Sequence, residues 1–394
     1  MFDKTLIFVL AISSIPVIIL FVQALIAVAI PITIVHKRYK KPCTVTVLVP
    51  AHNEELVIAE TINSIRSQLN ENDRLIVVAD NCTDNTAAIA HDLGAEILVR
   101  SNDEQRGKGF ALDYGIRHIE STGNTPDVIL VIDADCLVET GAMRLLVDTC
   151  MQLNRPIQAL YLMQSINAPG LKQKVAEFAW VVKNWVRPLG FLRLGLPCHL
   201  MGTGMAFPWQ VIRDGGLGNE SIVEDMRLGI ELTYKGFAPV FLPDAKVSSF
   251  FPNADKAENT QRTRWEHGHL AMLLRDGPRL LINGFKQLDS AMIFLALDLM
   301  VPPLALLTLI LLVLMAIAFG HALLTGVFTS MVLSILIFMF FAFSVLLAWY
   351  GYGRKILTFR ELLSIPMYII KKIPIYCKFI SNPQKSWLKT SRDK

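Results

Sequence analysis

Three stretches of this 394-residue chain carry no charged side chain: residues 5–35, 299–320 and 322–350. About 20 apolar residues cross the hydrocarbon core of a bilayer, so each stretch is long enough to span. A helix satisfies its backbone hydrogen bonds internally, which a water-free core demands of any segment within it. The chain is thus constrained to membrane helices at both ends and one polar segment between them. Composition agrees, with 53% hydrophobic and only 18% charged residues. The first run far exceeds the roughly 7–15 apolar residues of a cleavable signal, and membrane helices tolerate residues such as Pro16 and Pro31.

Basic residues set the expected orientation. His36-Lys37-Arg38-Tyr39-Lys40-Lys41 follows the first run, and Arg354, Lys355 and Arg360 follow the last. The turn expected near Gly320-His321 has no Lys or Arg. Positive-inside bias then predicts a multi-pass protein of the inner (cytoplasmic) membrane, in contact with membrane lipids, with the amino terminus outside. The implied organisation is a transmembrane helix over 1–36, a cytosolic domain over 40–285, two transmembrane helices over 287–351 and a basic tail over 352–394. The apolar part of the tail, 356–380, is broken by Pro366, Lys371, Lys372 and Pro374 and reads as lying in the interface rather than spanning. Residues 170–197 read either as an interfacial amphipathic helix or as an ordinary buried one. The net charge of +4 is explained by the flanks. The polar segment has no basic patch with interleaved aromatics, which argues against nucleic acid. Six cysteines without a C-x-x-C pair, on the cytosolic side, argue against disulfides and structural zinc.

The polar segment alternates strand and helix signals. Strands are expected at 44–49, 75–79, 96–99 and 128–133, and helices at about 54–69, 84–93 and 109–119. This alternation predicts an α/β fold with a mostly parallel sheet flanked by helices. Ligands of such sheets bind beyond the carboxyl ends of the strands. Polar residues gather there: Ala51-His52-Asn53-Glu54 after the first strand, Asp80-Asn81-Cys82-Thr83-Asp84 after the second, and Arg106-Gly107-Lys108-Gly109 before the next helix. Asp133-Ala134-Asp135 closes the apolar run 128–132. If that end is extended, Asp133 and Asp135 project to one side. Paired carboxylates suit Mg²⁺ or Mn²⁺ shared with phosphates, though an isolated Asp-x-Asp is equally an acidic turn. Asp84 alone is a helix cap.

The order of these motifs resembles membrane-bound family-two glycosyltransferases of the branch containing cellulose, chitin, hyaluronan and poly-N-acetylglucosamine synthases. Further segments carry the resemblance: Gly202-Thr203-Gly204-Met205, Val223-Glu224-Asp225, Gly236-Phe237, Leu242-Pro243-Asp244-Ala245 and the Q-x-x-R-W signature Gln261-Arg262-Thr263-Arg264-Trp265. The resemblance implies a GT-A-like, Rossmann-type domain that uses a UDP-sugar to build an extracellular polysaccharide or a lipid-linked glycan. It implies that Ala51, His52, Glu54 and Asp80 line the nucleotide pocket, with Lys108 and Asp133 near the nucleotide. Asp135, aided by Asp133, would hold the metal. Asp225 would be the general base of an inverting transfer, with Glu224 orienting its loop. Gln261, Arg264 and Trp265 would serve the diphosphate and acceptor, and Gly202, Thr203 and Gly204 would let backbone approach the acceptor. His52 stands where relatives often carry tyrosine, and Val247–Pro252 lacks a carboxylate that many relatives have before the proline. Two alternatives stay open: single-sugar addition to a lipid acceptor, and a non-catalytic subunit of a synthase or export complex. Three spans make a thin wall for a polysaccharide channel unless synthase or export subunits complete it.

Overall fold

The computed structural model describes residues 2–31, 37–165, 169–214, 217–218, 223–251 and 255–365, with a few positions beyond; the side chains of 255–262 are not among those described. The chain forms two compact units. One takes Thr33–Ile166 and Leu196–Gly268; the other takes Met1–Ile32, Asn167–Gly195 and His269–Gln384.

The first unit is built on one mixed sheet. Its elements in chain order are β1 (Val45–Ala51), α2 (Ile58–Arg66), β2 (Arg74–Asp80), α3 (Thr86–Asp92), β3 (Glu96–Arg100), α4 (Lys108–Ser121), β4 (Val128–Val131), β5 (Leu137–Val138), α5 (Ala142–Leu153) and β6 (Ile157–Gln164). After the second unit's insertion come β7 (Met205–Pro208), α8 (Trp209–Ile212), α9 (Glu224–Tyr234) and β8 (Val240–Phe250). The strand order is β3-β2-β1-β4-β7-β6-β8-β5. β3, β2, β1 and β4 run parallel, as the alternating pattern predicts. β7 then runs antiparallel to both β4 and β6, and β5 antiparallel to β8. β6 and β8 pair parallel, so the fold is α/β and GT-A-like with two reversed strands, β7 and β5, that helix–strand alternation does not foretell.

Continuous β-branched runs bury the parallel strands on both faces. Val47, Leu48, Ile76, Val78, Ile129 and Leu130 are sealed in the core. On one face α4 packs Leu112, Ile116 and Ile119 against Leu48, Ile76 and Val78. Full burial of such side chains is worth about 1.5–3 kcal/mol each. Gly115 permits the close approach, since a Cβ there would lie 2.5 Å from Leu48 Cδ1. This contact seats the amino end of α4, which carries Lys108.

Two helices start later than their apolar pattern suggests. α2 begins at Ile58 rather than near residue 54. Before it, Glu54 N donates to Thr86 Oγ1 (2.8 Å) and Glu55 N to Asp84 Oδ2 (3.2 Å), which ties the β1–α2 loop to the β2–α3 loop. α3 begins at Thr86 with Asn85 as its N-cap; Asp84, expected as the cap, stands one residue earlier and accepts from the Thr86 amide at 3.0 Å.

The second unit holds α1 (Phe2–Ala29), α6 (Leu171–Val181), a π-helical turn over Val182–Val186, α7 (Arg187–Leu192), α11 (Ser290–Leu299), α12 (Leu304–Thr325), α13 (Thr329–Ala348) and α14 (Phe359–Leu363). α10 (Asp255–Gln287) runs through residues of both units. Among the described residues, three helices are long and apolar enough to cross a membrane: Phe2–Ala29, Leu304–Thr325 and Thr329–Gly353. Large apolar side chains on them, including Phe8, Ile12, Phe319 and Phe340, are exposed, as lipid-facing residues would be. The break between the last two lies at Gly326 (φ +71°) rather than at Gly320-His321. His321 instead sits inside α12, stacked near Phe2 (5.1 Å) and 3.6 Å from Asp3 Oδ1.

Residues 171–192 belong to this helical unit. α7 is buried from Arg187 to Phe191 and packs on α1, where a Cβ at Gly190 would lie 2.2 Å from the Gln23 carbonyl oxygen. The buried alternative therefore holds for this half of the segment. Most of 356–380, expected as an interfacial helix, lies outside the described residues, apart from α14.

Candidate active site

The parallel strands end on one rim, and their register brings the candidate residues together. Asp80 and Arg100 are paired positions of β2 and β3. Arg100 NH1 donates to Asp80 Oδ1 at 2.5 Å, with both side chains 8% exposed. Its NH2 donates to the Gln105 carbonyl at 2.7 Å and its guanidinium lies over Phe110. The carbonyl of Asp80 faces His52 Nδ1 at 2.7 Å. An amide-like acceptor fixes that ring nitrogen as the protonated one. Asn53 and Asn81, both at positive φ, complete the turns. Asn53 Oδ1 accepts from Thr83 N at 2.7 Å, locking the two loops together. Ala51 is buried, while His52 and Glu54 are half-buried beside it. Arg100 is a site residue that the sequence pattern misses. A strand drawn one residue longer than 96–99 would have set it opposite Asp80.

The Asp133–Asp135 segment is a turn, not an extended end: β4 stops at Val131, and Cys136 N donates back to the Asp133 carbonyl at 3.1 Å. The carboxylates converge because the chain reverses there. One oxygen of each and Cys136 Sγ lie within 4.8 Å of one another. The turn is held from two sides, by Asp133 N donating to Thr203 Oγ1 (3.0 Å) and Thr61 Oγ1 donating to the Ala134 carbonyl (2.8 Å). Lys108 Nζ lies 2.5 Å from Asp133 Oδ1 and donates to the Gly202 carbonyl at 2.7 Å. Gly202 (φ +92°) lies against these groups: a Cβ there would be 3.4 Å from Asp225 Oδ2, 3.5 Å from Lys108 Nζ and 4.0 Å from Asp133 Oδ2. Gly204 (φ +65°) has a packing reason, since a Cβ would meet Ala159 Cβ at 2.8 Å. The glycine loop thus supports the charged cluster.

Electrostatics tie the cluster together. Burial opposes the Lys108 charge, but Asp133, Glu224 and Asp225 outweigh it and raise its pKa above the usual lysine value. Burial lifts the Asp133 carboxyl above the usual range, with Lys108 opposing and Asp135 adding to the shift. Burial, then the neighbouring Asp225, push Glu224 up to about 7. Arg264 is pulled down by burial and held up by Glu224, Asp133, Asp135 and Asp225. Its buried Nε makes no hydrogen bond among the described residues. Trp265 is half-buried next to it. The side chain of Gln261 lies outside the described residues.

A crowded pair of oxygen ligands fits a hard divalent cation. Burial, then Asp135 and Asp133, push the Cys136 thiol well above its usual value, and its Sγ donates to Asp135 Oδ1 at 3.4 Å. Among the described residues this is the one cluster with metal-binding spacing. His269 Nε2 is engaged with the Leu299 carbonyl at 3.0 Å.

Residues 42–268, which hold this whole site, match the model of the family described as Glycosyltransferase like family 2. That match covers more than half of the chain, and the chain belongs to the family. The Probable glycosyltransferase YdaM of Bacillus subtilis (strain 168) is 30% identical over 241 residues, 59% of this chain and 56% of its own length. The Poly-beta-1,6-N-acetyl-D-glucosamine synthase of Staphylococcus aureus (strain COL) is 22% identical over the same shares. The chain thus spans little more than half the length of these curated relatives. Its fold is similar to the mannosyltransferase PcManGT from Pyrobaculum calidifontis, solved with GDP-Man and Mn²⁺, with a TM-score of 0.52 and 17% identity over 88% of this chain and 99% of that one.

Proposed function

We propose that the protein is an inverting, metal-dependent transferase that moves a sugar from a UDP-sugar to a glycan or lipid-linked acceptor at the cytosolic face of the inner membrane. The observation that carries this reading is the convergence of Asp133, Asp135, Lys108, Glu224, Asp225 and Arg264 at one rim. Asp135 and Asp133 would hold Mg²⁺ or Mn²⁺, which when bound supplies Lewis-acid neutralisation of a leaving diphosphate. Asp80, His52, Ala51 and Glu54 form the nucleoside end. Arg264 offers a planar fork to diphosphate oxygens. Asp225 takes the proton from the acceptor hydroxyl as that oxygen attacks the anomeric carbon opposite the diphosphate, which inverts the centre. Lys108 opposes the rise of the Asp133 carboxyl and bridges it to the Gly202 carbonyl.

The three apolar helices and their basic flanks support a membrane protein with this domain on the cytosolic side. The 22% identity to a polysaccharide synthase favours a glycan product, although one sugar added to a lipid fits the same site. The charged cluster is complete, which speaks against a non-catalytic subunit. The test incubates membranes containing the protein with labelled UDP-sugars and GDP-mannose and sizes the products after phase partition. A large water-soluble product supports the polymer form. A lipid-soluble product of one sugar replaces it with the lipid form, and transfer from GDP-mannose alone overturns the uridine assignment.

A further inference from the structure

We propose that Gln158 is a positioning residue that fixes the Met201–Thr203 segment and, through it, the geometry of Asp133, Lys108 and Asp225. The inference rests on the transfer reading of the site above. Gln158 lies on β6, is fully buried, and is outside the residues assigned to donor or acceptor. Its amide is used at both ends. Nε2 donates to the carbonyls of Thr203 and Ala159, each at 2.9 Å, and Oε1 accepts from Met201 N at 2.8 Å.

The sheet explains why a side chain does this. β6 and β7 pair only over Ile157↔Ala206 and Gln158↔Met205, with one further bond from Ala159 N to the Gly204 carbonyl at 2.8 Å. The segment leading into β7 therefore leaves the ladder, and the Gln158 amide takes the place of the missing strand partner. Glycines at positive φ flank Thr203 on both sides, and such a backbone has weak conformational preferences of its own. An external clamp decides where it lies.

Gly202 and Thr203 of the clamped segment both act on the charged cluster. The Gly202 carbonyl accepts from Lys108, the Thr203 hydroxyl accepts from the Asp133 amide, and the side-chain face of Gly202 abuts Asp225 Oδ2. None of these bonds reaches Asp80 or His52 at the nucleoside end. Losing the clamp should therefore lower turnover and spare affinity for the nucleoside end of the donor, since small misplacements of catalytic groups cost about 10²-fold.

The experiment uses the full chain in detergent and the variants Gln158→Met, nearly isosteric and without strong hydrogen bonds, and Gln158→Leu. Binding sites are counted by titration with the nucleoside diphosphate of whichever donor the wild type turns over. The expected result is a 10- to 100-fold fall in kcat per binding site with affinity for the donor's free nucleoside within threefold. Amide exchange of residues 201–204 should rise at least tenfold while β1 and β2 stay protected. Unchanged kcat per site, unchanged exchange at 201–204, or variants that bind no nucleotide would each overturn the inference. Absence of turnover by the wild type would count against the transfer reading instead, and the exchange measurement would still decide the clamp.

Discussion

Lys108 Nζ stands 2.5 Å from Asp133 Oδ1 while donating to the Gly202 carbonyl, so one cation joins helix α4, the Asp133–Asp135 turn and the glycine loop. Replacing it as Lys108→Met leaves Asp133 half-buried beside Asp135 with its main counter-charge gone. Turnover is expected to fall at least about tenfold, since truncating one partner of a desolvated ion pair costs about 2–5 kcal/mol at its site. Steady-state transfer, with circular dichroism to verify folding, measures this; full activity would contradict it.

Gly202→Ala probes the space beside Asp225. The backbone sits at φ +92° and the new methyl would touch Asp225, Lys108 and Asp133. Strain at such a φ costs roughly 1–2 kcal/mol, and the crowding falls on the reacting groups. Turnover should drop more than tenfold with only a small loss in thermal midpoint. Gly204→Ala, by contrast, meets Ala159 and Val247 and should mainly reduce the yield of folded protein.

Glu224 makes the stability of the domain depend on pH. Its folded pKa of about 7 stands above the ordinary value of 4.5. A carboxyl raised in this way favours the fold fully below about pH 4.5, and that contribution is lost as pH rises through about 7. Glu224→Gln should abolish this slope, gaining on the order of 1–3 kcal/mol over the wild type at pH 8 relative to pH 5. Thermal unfolding at a series of pH values reads the difference, and parallel curves for the two proteins would refute the assignment.

In the helical unit, Arg187 NH2 lies 2.8 Å from Asp298 Oδ1, which also accepts from Gln23 Nε2 at 2.6 Å. Arg187→Met strands a buried carboxylate and should cost about 3–5 kcal/mol. The double variant Arg187→Met/Asp298→Leu should recover most of it. Midpoints in detergent test both; a double variant as unstable as the single one would show that the pair is not what couples the helices.

Periodicity and strand-end chemistry make much of this molecule legible in the sequence. The β-branched runs ending in Asp80 and Asp133 give the parallel half of the sheet and its rim, and charge-free runs give the three apolar helices. What escapes is set by tertiary contacts. The antiparallel pairing of β7 depends on where a chain returns after an inserted helical segment, which local pattern does not encode. The carboxylates of Asp133 and Asp135 meet through a turn, and Thr203, read as an acceptor contact, spends its hydroxyl on the Asp133 amide. Arg100 and Gln158 are invisible locally because their meaning lies in cross-strand register and a diverging ladder.

The most direct test of the central claim is release of nucleoside diphosphate from UDP-sugars by the purified full chain, with and without Mn²⁺, for the wild type and Asp225→Asn. The account predicts turnover that requires the cation and falls about 10²–10⁴-fold in the variant, with nucleotide binding retained. Turnover unaffected by Asp225→Asn, or no turnover from any UDP-sugar in the presence of Mn²⁺, would contradict it.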